Sequence, residues 1–141
     1  MSNSIPPEFW QAVEQFNQQD FYACHDTLES LWMEASEPDK KFYQGILQIA
    51  VALYHLSNHN WKGAAILLGE GMSRLRSYQP TYFEINVAEI LQISSQILQK
   101  LQEVGPENVV KLTDQLFGNM PENSMPDNPG LSLPKISQIN R

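Results

Sequence analysis

Between Ile46 and Leu56 the chain is apolar on nearly every side. Ile46, Leu47, Ile49, Ala50, Val51, Ala52 and Leu53 are interrupted only by Gln48 before His55. A helix without a continuous polar face belongs at the centre of a bundle, wrapped by other helices. The run is also far short of the ~20 residues that a membrane span needs. The flanking sequence must therefore supply amphipathic helices to cover it, and its periodicity does so.

Phe9, Trp10, Ala12, Val13 and Phe16 recur at helical spacing and predict a short first helix from about Glu8 to Gln18, with Pro6 and Pro7 at its start. Asp20 is a good N-cap for a second helix from Phe21 to about Ala35, striped by Leu28, Leu31, Trp32 and Ala35. Ser36-Glu37-Pro38-Asp39 reads as a capped restart, with Asp39 in the acid position of a capping box, and the central third helix runs on to about Ser57. Asn60 caps a fourth helix, Trp61 to about Tyr78. That helix carries Gly63, Gly69 and Gly71, which cost about 1 kcal/mol each relative to alanine and point to close approach by the third helix. Thr81-Tyr82-Phe83-Glu84 matches a capping box and predicts a fifth helix to about Val104. Gly105-Pro106 starts a short sixth, Glu107 to about Phe117. After Gly118 the periodicity ends, and Pro121, Pro126, Pro129 and Pro134 lie among Asn, Ser and Gly. The expected fold is all-α: a compact bundle of five to six helices built from antiparallel hairpins over 1–118, with a disordered tail over 119–141.

A net charge of −7, with nine basic residues spread out apart from Arg74 and Arg76, argues against nucleic acid or anionic lipid as a partner. Cys24 is the single cysteine, so no internal disulfide can form. The opening Met-Ser-Asn-Ser-Ile-Pro-Pro lacks the basic start and apolar run of a signal peptide. Together these features suggest a soluble, cytoplasmic protein. The sequence also echoes itself at an offset of forty residues: Asn17-Gln18-Gln19-Asp20-Phe21 against Ser57-Asn58-His59-Asn60-Trp61. Two helical-hairpin corners obeying the same capping rules account for that echo.

The candidate site is polar. His25 and Glu29 share one face of the second helix, and Gln44 and Gln48 one face of the third, with His55 seven residues beyond Gln48. Antiparallel hairpins would set Glu29 level with Gln44, His25 with Gln48, Glu70 near Gln48 and Arg74 near Gln44. Such groups are costly inside an apolar interface unless paired. One explanation is a structural network with Glu29 and Arg74 as its ion pair. The other is a pocket where His25 and Glu29, with Asp26 and His55, act as acid and base or bind a metal. The metal pattern is incomplete: one imidazole with two carboxylates, no second histidine at helical spacing, and no paired Glu-x-x-His elements.

Several segments resemble a known family. They are Phe21-Tyr22-Ala23-Cys24-His25-Asp26-Thr27-Leu28-Glu29-Ser30-Leu31-Trp32, Phe42-Tyr43-Gln44-Gly45-Ile46-Leu47-Gln48, Tyr54-His55 with Asn60-Trp61-x-Gly63-Ala64, and Leu67-Leu68-x-x-Gly71. In combination they are similar to the bacterial, archaeal and plastid domain-of-unknown-function family 309, over about residues 16–76. The resemblance implies a compact all-α bundle and singles out His25, Asp26, Glu29, Gln44, Gln48, His55 and Asn60, without implying an activity. The family often has Glu at Asp26 and a Gly in the turn occupied here by Gln18-Gln19. The expectation for function is a non-enzymatic binding module, self-associating or docking a protein partner, with no cofactor. The alternative is a metal-assisted or acid–base enzyme at His25 and Glu29, with His55 in support.

Overall fold

Among the described residues six α-helices form the bundle, and the third is sandwiched between the second and the fourth. The structure is a computed structural model, and it describes residues 4–118 and 130–139. The helices are α1 (Pro7–Asn17), α2 (Phe21–Glu34), α3 (Asp39–Ser57), α4 (Trp61–Leu75), α5 (Val87–Val104) and α6 (Val109–Leu116). Single 3₁₀ turns follow α4 (Arg76–Tyr78) and precede α6 (Pro106–Asn108). α3 packs most extensively on α4 and α2, α1 lies on α2, and α4 carries α5, so the bundle is a succession of helical hairpins. No helix of the described residues is long and apolar enough to cross a membrane.

The centrality of α3 follows from its sequence. Phe42, Ile46, Ile49, Ala50, Ala52, Leu53 and Leu56 are all buried, on several sides of one helix. α3 and α4 come close because of two glycines. A Cβ on Gly71 would lie 2.9 Å from the Gly45 carbonyl oxygen, and one on Gly45 would lie 2.8 Å from Leu75. Only a hydrogen fits at that crossing, which explains why helix-weakening residues are kept there.

The two echoed corners are one structure used twice. Gln19 and His59 each take a left-handed φ, 66° and 62°. Their amides bond back to Phe16 and Leu56 carbonyls at 3.0 Å, and those of Asp20 and Asn60 to Gln15 and His55 at 2.9 Å. The Asp20 and Asn60 side chains then cap α2 and α4 by accepting from the Ala23 and Gly63 amides. A left-handed residue is the natural place for glycine, and here Gln19 and His59 take it instead.

Three expectations are overturned. Thr81–Glu84 does not open a helix. Thr81–Tyr82 (β1) and Ile85–Asn86 (β2) pair as an antiparallel hairpin, with Thr81 opposite Asn86 and Tyr82 opposite Ile85. Phe83 and Glu84 form its two-residue turn at φ 51° and 61°, the pair of positive φ values that primed hairpin turns demand. A second cap-like sequence, Asn86-Val-Ala-Glu89, starts α5 instead, the Asn86 side chain accepting from the Glu89 amide at 3.0 Å. Tertiary packing selects between the two. Tyr82 and Phe83 pack their rings against Phe42, with centroids 4.7 and 5.3 Å away, which a helix from Thr81 would redirect.

The second correction concerns the tail. Residues 119–129 lie outside the described residues, but 130–139 are held on the bundle. Ile136 is buried. Its backbone is gripped at both groups by Asn17, whose Nδ2 donates to the Ile136 carbonyl at 3.0 Å and whose Oδ1 accepts from the Ile136 amide at 2.7 Å. Beyond it the chain bridges β2, with the Asn86 amide donating to Ser137 and the Ile139 amide to Glu84. The composition of this segment is that of a tail, yet the free edge of the hairpin gives its backbone partners. At the α2–α3 connection, Ser36 and Asp39 do not form the expected capping box. Glu37 accepts from the Lys41 amide, and Asp39 accepts from the Tyr82 hydroxyl.

Candidate functional site

The polar residues singled out from sequence separate into three groups. The first joins α3 to α4. Gln48 is buried, and both ends of its amide are used: Nε2 donates to Glu70 Oε1 at 3.1 Å, and Oε1 accepts from Arg74 at 3.0 Å. Glu70 and Arg74 stand four residues apart on α4, so one amide on α3 reads both and fixes the register of the pair. Arg74, expected level with Gln44, reaches one turn further to Gln48. Gln44 is half-buried on the same helix.

The second group lies on α2. His25 Nδ1 is 3.2 Å from Asp26 Oδ1, and His25 Nε2 is 3.7 Å from Glu29 Oε2. The Glu29 side chain is 52% exposed, and no ion pair to Arg74 forms, which corrects the expected buried pair. Arg74 is satisfied by Gln48 instead, from the other side of α3. Glu29→Ala should therefore change the unfolding free energy by no more than about 0.5 kcal/mol, the range of exposed substitutions without special contacts. The denaturant midpoint measures this, and a buried ion pair at Glu29 would instead give a loss of about 3–5 kcal/mol.

The third group is the α3–α4 corner. Asn60 Oδ1 accepts from the Gly63 amide at 3.0 Å, so its Nδ2 faces His55 Nδ1 at 3.3 Å. An amide nitrogen can only donate, which places the proton of the neutral His55 ring on Nε2. A Cβ on Gly63 would meet Asn60 Nδ2 at 2.8 Å and the His55 ring at 3.0 Å, so this glycine makes room for the pair.

His25 and His55 both line a surface cleft between α2 and α3. It encloses about 200 Å³ and is lined by Phe21, Tyr22, His25, Val51, Tyr54 and His55. Tyr22 and Tyr54 stand edge to face across it, with centroids 5.4 Å apart. Both rings are exposed, Tyr22 to 58%. The walls are almost wholly apolar. An imidazole beside two carboxylates can exchange a proton. Among the described residues no three His, Cys, Asp or Glu side chains gather as a metal-binding group. Cys24 is buried beside Asp20, and burial followed by that charge pushes its thiol up to about 12, so it remains protonated and a poor nucleophile.

The cleft residues Tyr22, Val51 and Tyr54 were not singled out as a site from sequence. Their signal was present: Tyr22 is three residues before His25, and Val51 is three and four before Tyr54 and His55, so each set shares a helix face with a histidine.

Comparison with known proteins bears on the same segment. Residues 9–67 match the DUF309 family, described as a domain of unknown function. The DUF309 match spans α1 to the first half of α4 and includes His25, Asp26, Glu29, Gln44, Gln48, His55 and Asn60, but not Glu70 or Arg74. The chain is 28% identical over 97 residues to the uncharacterized protein YpuF of Bacillus subtilis (strain 168), an alignment covering 65% of this chain and 55% of YpuF. It is 27% identical over 89 residues to an uncharacterized protein of Aquifex aeolicus (strain VF5), covering 62% of this chain and 27% of that one. The chain thus spans about half and about a quarter of the length of these two relatives.

Proposed function

We propose that this protein is a non-catalytic binding module that docks a partner polypeptide at the Tyr22–Tyr54 cleft. The observation that carries this reading is an open apolar receptacle of about 200 Å³ with two exposed tyrosines at its mouth. Tyrosine supplies large, rigid contact area with a polar tip and is enriched at interfaces for that reason. The volume suits one leucine or phenylalanine side chain. Asp26 and Glu29, exposed on the α2 face beside His25, add negative charge next to it. The partner that fits is an extended segment with an apolar side chain flanked by Lys or Arg. The Gln48–Glu70–Arg74 network then has a structural task, holding α3 and α4 in one register behind the cleft.

Titration of the full chain with short peptides carrying one leucine or phenylalanine between lysines tests this. Amide signals of Tyr22, His25, Tyr54 and His55 should shift first and saturably. The same peptides with glutamates in place of lysines should bind far more weakly, and Tyr22→Ala combined with Tyr54→Ala should abolish the response while leaving the melting temperature within a few degrees. Shifts centred elsewhere, or a response indifferent to the double substitution, would remove the cleft from consideration.

A further inference from the structure

The 130–139 segment meets the bundle as a peptide ligand meets a groove. The groove is formed by Asn17 at the end of α1, the outer edge of β2 and Glu89 in the first turn of α5. Most of the grip is on the backbone of the segment. Asn17 holds both the amide and the carbonyl of Ile136. The Ser137 carbonyl accepts from the Asn86 amide at 2.9 Å, and the Ile139 amide donates to the Glu84 carbonyl at 2.7 Å. Side chains add to this: Ser137 Oγ donates to Glu89 Oε1 at 2.8 Å, and Gln138 Nε2 to Glu84 Oε1 at 3.4 Å. Pro134 and Ile136 are buried while Lys135 between them is exposed, the alternation of an extended strand with one face covered. Strand addition to a sheet edge binds peptides in this way, with main-chain bonds holding the strand and alternate side chains selecting it.

Nothing in these contacts requires that segment and groove belong to one molecule. Asn17, Glu84, Asn86 and Glu89 all lie far from the segment in sequence. The segment follows α6 through residues 119–129, which include Pro121, Pro126 and Pro129 and supply none of the contacts just described. A second copy carries the same 130–139 segment and satisfies every one of these contacts by identity of sequence.

We propose that copies of this protein exchange the 130–139 segment, that of one chain seating on the Asn17–β2 groove of another. The exchanged and self-docked states make the same contacts, so concentration decides between them. A short tether gives an effective concentration of about 1 mM, so self-docking prevails in dilute solution and exchange grows as that value is approached. This inference goes beyond the Tyr22–Tyr54 cleft, to which none of the groove residues belongs.

Two full-length variants, each defective in one half of the contact, test this by complementation. Ile136→Ala spoils the segment and keeps the groove, whereas Asn17→Ala spoils the groove and keeps the segment. At about 1 mM of each, sedimentation should show at least about tenfold more dimer in their mixture than in either alone, since each substitution weakens docking by that factor or more. With only the Ile136→Ala copy isotope-labelled, its Asn86 amide should exchange freely alone and regain protection on mixing. A peptide of residues 130–141 gives a second measurement on the same copy. It should bind saturably and restore protection at Asn86, and the same peptide bearing Ile136→Ala should not. A mixture no more dimeric than its components, association without recovery at Asn86, or equal binding of the two peptides would each overturn the proposal.

Discussion

Phe42→Ala should lower the unfolding free energy by about 3–5 kcal/mol, the upper range for truncating a buried aromatic. Phe42 is fully buried at the start of α3. Its ring contacts five others: Phe9, Tyr43, Tyr78, Tyr82 and Phe83, with centroids between 4.7 and 6.2 Å away. Those rings come from α1, from α3 itself, from the 3₁₀ turn after α4 and from the β1–β2 hairpin. The cavity left by alanine therefore cannot close by moving one neighbour, because the surrounding elements are held by separate contacts. The Tyr78 hydroxyl donates to the Pro38 carbonyl at 2.6 Å, and Tyr82 donates to Asp39. A loss of this size is a large share of the stability of a small protein. Urea denaturation should show a lower midpoint at an unchanged slope. A cost below about 1 kcal/mol would mean that these rings do not form one packed cluster.

Ile136→Ala should be the second largest effect, about 2–3 kcal/mol, at the lower end of the range for burial of this side chain. The lower end is expected because the 130–139 segment is attached by few elements. Where a segment can detach while the rest stays folded, the damage of a substitution is limited to the free energy of docking it. Hydrogen exchange resolves the two contributions. The Ile136 amide, bonded to Asn17 Oδ1, and the Ile139 amide, bonded to Glu84, should exchange more slowly than free amides in the wild-type chain. Both should reach unprotected rates in the variant, while amides of α3 keep most of their protection. Unprotected exchange at both positions in the wild-type chain would show instead that the segment spends its time off the bundle.

The helices were legible because each is set by a local rule. Asp20 and Asn60 cap where the capping rules put them, and the apolar period places α1 to α4 within a few residues of their observed ends. The all-round apolar character of residues 46–56 fixed α3 as the central helix before any contact was known. The association of Gln48 with Glu70 was also within reach, because antiparallel hairpins align positions by counting turns. What counting turns cannot give is which side chain wins a shared partner. Arg74 bonds Gln48 rather than Glu29, since the amide lies in the same α3–α4 seam while Glu29 stays on the solvent side of α2. The hairpin at 81–86 depended on Phe42 and its neighbours receiving Tyr82 and Phe83, a contact forty residues away in sequence. The 130–139 segment depended in turn on that hairpin and on Asn17, 119 residues earlier. Sequence determined the helices and their order because hydrogen bonding and amphipathic patterning act over three or four residues. Only the tertiary structure decided the hairpin, the docked segment and the Tyr22–Tyr54 cleft, because each is made of side chains from elements that chain-local forces do not bring together.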